Sequence, residues 1–128
     1  MQIKRIHHIA ILTDRYEESK LFYTQVLGFT IVAETYRQQR DSYKLDLAIN
    51  GEYCIELFSF PEYKERNSFP ESKGLRHLAF AVDDVQQWIS FLRSKNVDVQ
   101  DVRIDELTNR KFTFFYDPNG QPLELYEG

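Results

Sequence analysis

One cysteine, Cys54, is all the sequence carries, so no disulfide can close within the chain. That fits a reducing compartment, and a cytoplasmic protein is expected. Long apolar runs are missing too. The stretch Ile9 to Leu12 is broken at once by Thr13, Asp14 and Arg15, far short of the ~20 residues that cross a bilayer, so no membrane partner is expected. Met1 to Ile6 holds Lys4 and Arg5 but leads into no apolar stretch of secretory length, and no export signal is expected. Basic residues are not in excess: 16 Lys and Arg stand against 20 Asp and Glu, a net charge of −4. Nucleic-acid binding needs clustered excess cation, so that class is set aside in favour of a small-molecule partner. What is present is apolar and aromatic: 42% hydrophobic and 15% aromatic residues over 128 positions, enough to build one domain's core and to exclude disorder.

The chain repeats itself. His8-Ile9-Ala10-Ile11-Leu12-Thr13-Asp14 matches His77-Leu78-Ala79-Phe80-Ala81-Val82-Asp83 at a spacing of 69 residues, with Phe22 falling on Phe91. Cys54-Ile55-Glu56-Leu57-Phe58 matches Pro122-Leu123-Glu124-Leu125-Tyr126 at 68, so the register drifts by one. Two matches in the same order imply two similar halves: module one at about 1–60, a polar, proline-containing linker or lid at 61–73, and module two at about 74–128.

Each half reads as strand, helix, then three strands. In the first, Ile6 to Leu12 is a β-branched strand, Asp14 a helix N-cap, Arg15 to Leu27 a helix, and Gly28 its C′ residue. Phe29 to Glu34, Tyr43 to Ile49 and Tyr53 to Phe60 follow as strands, the last two joined by an Asn50-Gly51 hairpin turn. In the second, Leu75 to Val82 is a strand, Asp84 to about Lys95 a helix, and Val97 to Val102 a strand. Lys111 to Tyr116 and Pro122 to Tyr126 form a hairpin about Asp117-Pro118-Asn119-Gly120.

Two of the three histidines occupy equivalent places in the repeat, and each half has one glutamate flanked by apolar residues in its last strand. An unpaired charge there would be costly to bury. Strand alternation puts His8 with Ala10 and Leu12, and His77 with Ala79 and Ala81, on a face of mostly small residues. Ile9 and Ile11, or Leu78, Phe80 and Val82, face the helix side. Glu56 and Glu124 share the histidine face. Two imidazoles and two carboxylates are a donor set for a borderline divalent metal. His7 has the wrong parity and no mate in the second half, where Arg76 stands, and reads as structural. Cys54 reads as a small core thiol.

The motifs His8-Ile9-Ala10-Ile11, Leu27-Gly28-Phe29, Ile55-Glu56-Leu57, His77 to Asp83, and Asp117-Pro118-Asn119-Gly120 through Leu123-Glu124-Leu125 together resemble the glyoxalase and bleomycin-resistance group of the vicinal oxygen chelate superfamily. The resemblance spans nearly the whole chain. It implies an α+β fold in which two βαβββ modules with mixed sheets form a metal-centred cleft. It also implies one divalent metal, Zn2+ or Ni2+ before Fe2+, Co2+ or Mn2+, held by His8, Glu56, His77 and Glu124. The implied chemistry is that of a glyoxalase-like lyase or isomerase: Lewis-acid stabilisation of an enediolate on a small oxygen-rich substrate, with Glu124, or else Glu56, moving a proton. The alternatives are a non-haem Fe(II) dioxygenase and a non-catalytic module that binds an antibiotic or metabolite. A homodimer is the family habit. Arg37, Arg40, Lys44, Arg76 and Lys111 are candidates to meet an anionic substrate, and Phe60, Tyr63 and Phe69 to close over a ligand. Where glyoxalase I typically has an Arg and an Asn for glutathione, this sequence has Leu12 and Phe60, which implies that glutathione hemithioacetals are poor substrates.

Overall fold

The computed structural model describes residues 1–128 throughout and divides them into two units, Met1–Lys64 and Glu65–Gly128. In the first unit, β1 (Ile9–Thr13), α1 (Tyr16–Leu21), β2 (Thr30–Arg37), β3 (Ser42–Ile49) and β4 (Glu52–Ser59) make a sheet of order β1-β4-β3-β2. In the second, β5 (Leu78–Val82), α2 (Val85–Ser94), β6 (Arg103–Ile104), β7 (Lys111–Tyr116) and β8 (Pro122–Glu127) make a sheet of order β5-β8-β7-β6. Both sheets are mixed, with the first and last strands of each unit parallel and the rest antiparallel. This is the βαβββ plan twice over, in the α+β class expected.

Alternation decides which face is buried. Ile55 and Leu57 in β4, with Leu45 and Leu47 in β3, are fully buried, as are Leu123, Leu125 and Phe115 in the second sheet. The helices cover these faces: Phe22 and Tyr23 are buried in unit one, and Val85, Ile89 and Leu92 line one side of α2. Each such side chain contributes about 1.5–3 kcal/mol when removed from water. The opposite face is left open, with Ala10, Leu12, Ala79 and Ala81 exposed along β1 and β5.

The one-residue drift in the repeat has a visible cause. After α1 the chain continues as a π-helical turn over Phe22–Val26, with Leu27 N–H donating to the Phe22 carbonyl at 3.0 Å. A π turn holds one residue more than an α turn. The two helices end at equivalent left-handed residues, Gly28 (φ 80°) and Asn96 (φ 58°), which stand 68 apart, whereas Phe22 and Phe91 stand 69 apart. The extra residue of the first half therefore lies within this turn.

Three local expectations differ from the structure. Helix α1 starts after Arg15 and its cap makes no side-chain hydrogen bond; Asp14 instead accepts from the Tyr63 hydroxyl at 3.3 Å. The adjacent Thr13 Oγ1 accepts the Arg15 N–H at 2.9 Å and meets the buried Ser19 Oγ at 2.8 Å, which ties the entry of the helix to the core. Val97 to Val102 forms no continuous strand: only a Val99–Phe115 bridge and a Gln100 N–H to Phe114 carbonyl bond tie it to β7, and pairing resumes at Arg103–Ile104. The segments before His8 and His77 are not strand either; β1 begins at Ile9 and β5 at Leu78.

Candidate functional site

Register builds the same pair in both units. Ala10 sits opposite Glu56 across β1 and β4, and Ala79 opposite Glu124 across β5 and β8. The histidine two positions before each alanine leans over the glutamate. His8 Nε2 is 3.0 Å from Glu56 Oε1, and His77 Nε2 is 2.9 Å from Glu124 Oε2. Small alanine side chains leave room for this. Both glutamate side chains keep 12% of their exposure, so each carboxylate is largely desolvated and directed toward an imidazole at a part-open surface. Within each unit the set stops at two, since no further His, Cys, Asp or Glu joins either pair as a metal-holding group.

The donors fit a divalent ion. Two ligands at ~2.1 Å from one ion and roughly at right angles lie about 3 Å from each other, which is the separation within each pair. Imidazole nitrogen and carboxylate oxygen suit zinc, nickel and iron alike.

The surroundings of the pairs are not alike. Lys44 Nζ reaches Glu56 Oε2 at 3.1 Å and Asp46 Oδ1 at 2.9 Å, and the Tyr53 hydroxyl donates to Asp46 at 3.2 Å. Burial pushes the Glu56 carboxyl up, but the Tyr53 hydroxyl, the Lys44 ammonium and His8 outweigh it and hold the group below its ordinary value. Burial and the Glu56 carboxylate in turn push the Tyr53 phenol well up. In the second unit Phe114 stands where Asp46 stands in the first, directly opposite the glutamate, and its ring meets His77 edge-on at 5.0 Å. Glu124 thus has one ion-pair partner, His77.

His7 is not a third donor to the Glu56 pair, but it touches the site. Its Nδ1 is 2.8 Å from His8 Nδ1, so one of the two carries a shared proton and the His8 ring is oriented with Nε2 toward Glu56. Of the basic residues singled out from sequence, Lys44 is spent on Glu56 and Asp46. Arg37 lies over Phe58 (4.8 Å) and Phe60 (5.7 Å), Arg40 over Phe60 (4.9 Å), and Arg76 pairs with Glu71 at 3.2 Å. Cys54 is half-buried, its thiol pushed up by burial, with Sγ 3.7 Å from the Leu47 carbonyl.

Residues 5–125 match the family described as Glyoxalase/Bleomycin resistance protein/Dioxygenase superfamily. The chain belongs to this superfamily, the vicinal oxygen chelate proteins. It is 56% identical to protein YaeR of Escherichia coli (strain K12), over 98% of this chain and 97% of that one. It is also similar to the glyoxalase family protein of Enterococcus faecalis, whose crystal structure superposes with a TM-score of 0.91 at 41% identity, covering 99% of this chain and 100% of the other. The metallothiol transferase FosB of Staphylococcus epidermidis is 28% identical over the full chain and 84% of its own length.

Sequence reasoning missed Arg66, Gln100 and Arg103, which line a pocket next to His77. Nothing in the repeat marks them: Arg66 lies in the irregular segment between β4 and β5, and Arg103 opens a two-residue strand just past the strand expected over Val97 to Val102.

Proposed function

We propose that His8, Glu56, His77 and Glu124 together hold one divalent metal, and that the protein is a glyoxalase-like lyase or isomerase acting on a small oxygen-rich substrate. The observation that carries this reading is the identical His–Glu pair in each module, each spaced as adjacent ligands of one ion. Membership of a superfamily that includes a metallothiol transferase among this chain's relatives supports a metal as well. A bound divalent metal supplies Lewis-acid stabilisation of negative charge developing on adjacent substrate oxygens.

The chain's own residues divide the remaining work. Glu56, held by Lys44, Tyr53 and His8, is a fixed ligand. Glu124, with one ion-pair partner and an aromatic wall at Phe114, has fewer groups holding it than Glu56 and acts as the base that moves a proton at the reacting carbon. The two modules work as one domain, and the protein acts as a homodimer, as is common among its relatives.

The test is solvent exchange. The nickel- or zinc-loaded protein is incubated in D2O with small 2-hydroxycarbonyl compounds, and deuterium entering at the α-carbon is followed by NMR. Exchange that falls by about 10²-fold or more in Glu124→Gln while the metal stays bound is expected. Oxygen uptake dependent on Fe(II), with no exchange, would instead identify a dioxygenase. Tight binding of a ligand with neither exchange nor oxygen uptake would identify a binding module.

A further inference from the structure

Beside His77 the second unit has a part-open cavity of about 170 Å³ whose wall includes Arg66, Arg76 and Arg103 against one carboxylate, Glu71. Three guanidiniums to one acid is a local reversal of sign in a chain of net charge −4. The three are not equivalent. Arg76 is paired with Glu71 at 3.2 Å, so its charge is answered. Arg66 donates to the neutral Arg76 carbonyl at 2.7 Å, and Arg103 donates to the neutral Gln100 side chain, so neither charge is. Arg103 is also fixed in plane, its guanidinium lying over Phe112 at 5.5 Å and Phe114 at 5.2 Å. Gln100 is itself tied to the Tyr116 hydroxyl at 3.0 Å. A guanidinium has five donors, and a stacked one keeps its edge in place for a planar or tetrahedral oxyanion.

We infer that this pocket grips the acidic end of the substrate, a carboxylate or a phosphate-type group, through Arg66 and Arg103, and presents the neighbouring oxygens at His77. That the anion belongs to the substrate rests on the metal reading above; the binding of the anion does not. The cavity is smaller than the ~300–1,000 Å³ of ordinary small-molecule sites. It is part-open, with room inside for one compact acidic group. The substrate class is therefore a hydroxy or oxo acid, or its phosphorylated counterpart.

Anion binding is measured on the metal-free full-length protein, so that it is read apart from any metal. Glycolate and inorganic phosphate are titrated separately at low ionic strength, with ethylene glycol as the neutral control, and backbone amide shifts are followed. Saturable binding of one or both anions at about 1 mM or tighter is expected, with shifts centred on Gln100, Arg103 and Phe114 and none with the neutral diol. Which anion binds tighter distinguishes a carboxylate from a phosphate source. Arg66→Gln and Arg103→Gln should each weaken binding about tenfold or more, Arg103→Lys should fall between, and Arg15→Gln in the other module should change nothing. All variants should keep the wild-type spectrum elsewhere and wild-type nickel affinity. No saturable binding of either anion, shifts away from this pocket, or equal weakening by Arg15→Gln would overturn the inference. Failure of nickel to bind the wild type, with anion binding intact, would sink the metal reading and leave the pocket standing.

Discussion

Glu56 and Glu124 occupy the same register in their sheets, yet they answer to different neighbours. Lys44 and Tyr53 surround the first, and Phe114 faces the second. The consequence for Glu56 is a pH dependence with a definite sign. Its folded carboxyl lies below its ordinary value of 4.5, so its contribution to stability is complete above that pH and is lost as pH falls through the folded value. Lys44→Met removes one cause of the depression, so the metal-free variant should lose less stability than wild type between about pH 5 and pH 3. Urea unfolding across that range measures it; an unchanged slope would show that Lys44 does not hold Glu56. His7 makes a second prediction at this scale. Because it orients the His8 ring through a 2.8 Å contact, His7→Phe should lower metal affinity by about 10–100-fold without unfolding the protein, as read by calorimetry.

Among the elements, the pattern of apolar alternation located nearly every strand, because each sheet buries one face and opens the other. Lys111–Tyr116 matches its expected bounds, and the Asn50-Gly51 turn forms with both residues at positive φ. The helix starts show what a single residue cannot reveal. Asp84 caps α2, its carboxylate accepting the Gln87 N–H at 3.0 Å, whereas the equivalent cap position of α1 is Arg15, and Asp14, one place earlier, bonds Tyr63, a residue 49 positions away. The helix starts one residue later after Asp14 than the sequence suggests, which removes that carboxylate from the cap position. Asp84→Ala should therefore destabilise the protein by about 1 kcal/mol, and Asp14→Ala by clearly less, in urea unfolding at neutral pH. Equal losses would mean that Asp14 caps α1 in solution. The π turn at Phe22–Val26 was legible only as a one-residue slip between the halves, since neither composition nor periodicity distinguishes it from a longer α-helix.

For the molecule as a whole, the four residues proposed to hold the metal stood out in the sequence because the repeat displays a His–Glu pair twice in an apolar setting. The anion pocket did not, because Arg66 lies in an irregular segment and Arg103 in a strand of only two residues, both outside the matched stretches of the repeat. The side chains at Leu12 and Phe60 argue against a glutathione substrate. Leu12 lies exposed on the open face with neither charge nor amide, and the Phe60 ring supplies no amide donor, the Arg37 and Arg40 guanidiniums near it being stacked on aromatic rings. Formation of S-lactoylglutathione by the metal-loaded protein should fall well below the ~10⁴ M⁻¹s⁻¹ at the low end of ordinary catalytic efficiencies. The proposed metal site takes one His–Glu pair from each module. Calorimetric titration of nickel into the metal-free protein should give one ion per chain, and His77→Ala in module two should abolish that binding as completely as His8→Ala in module one. Two ions per chain, with each substitution removing only one of them, would contradict it.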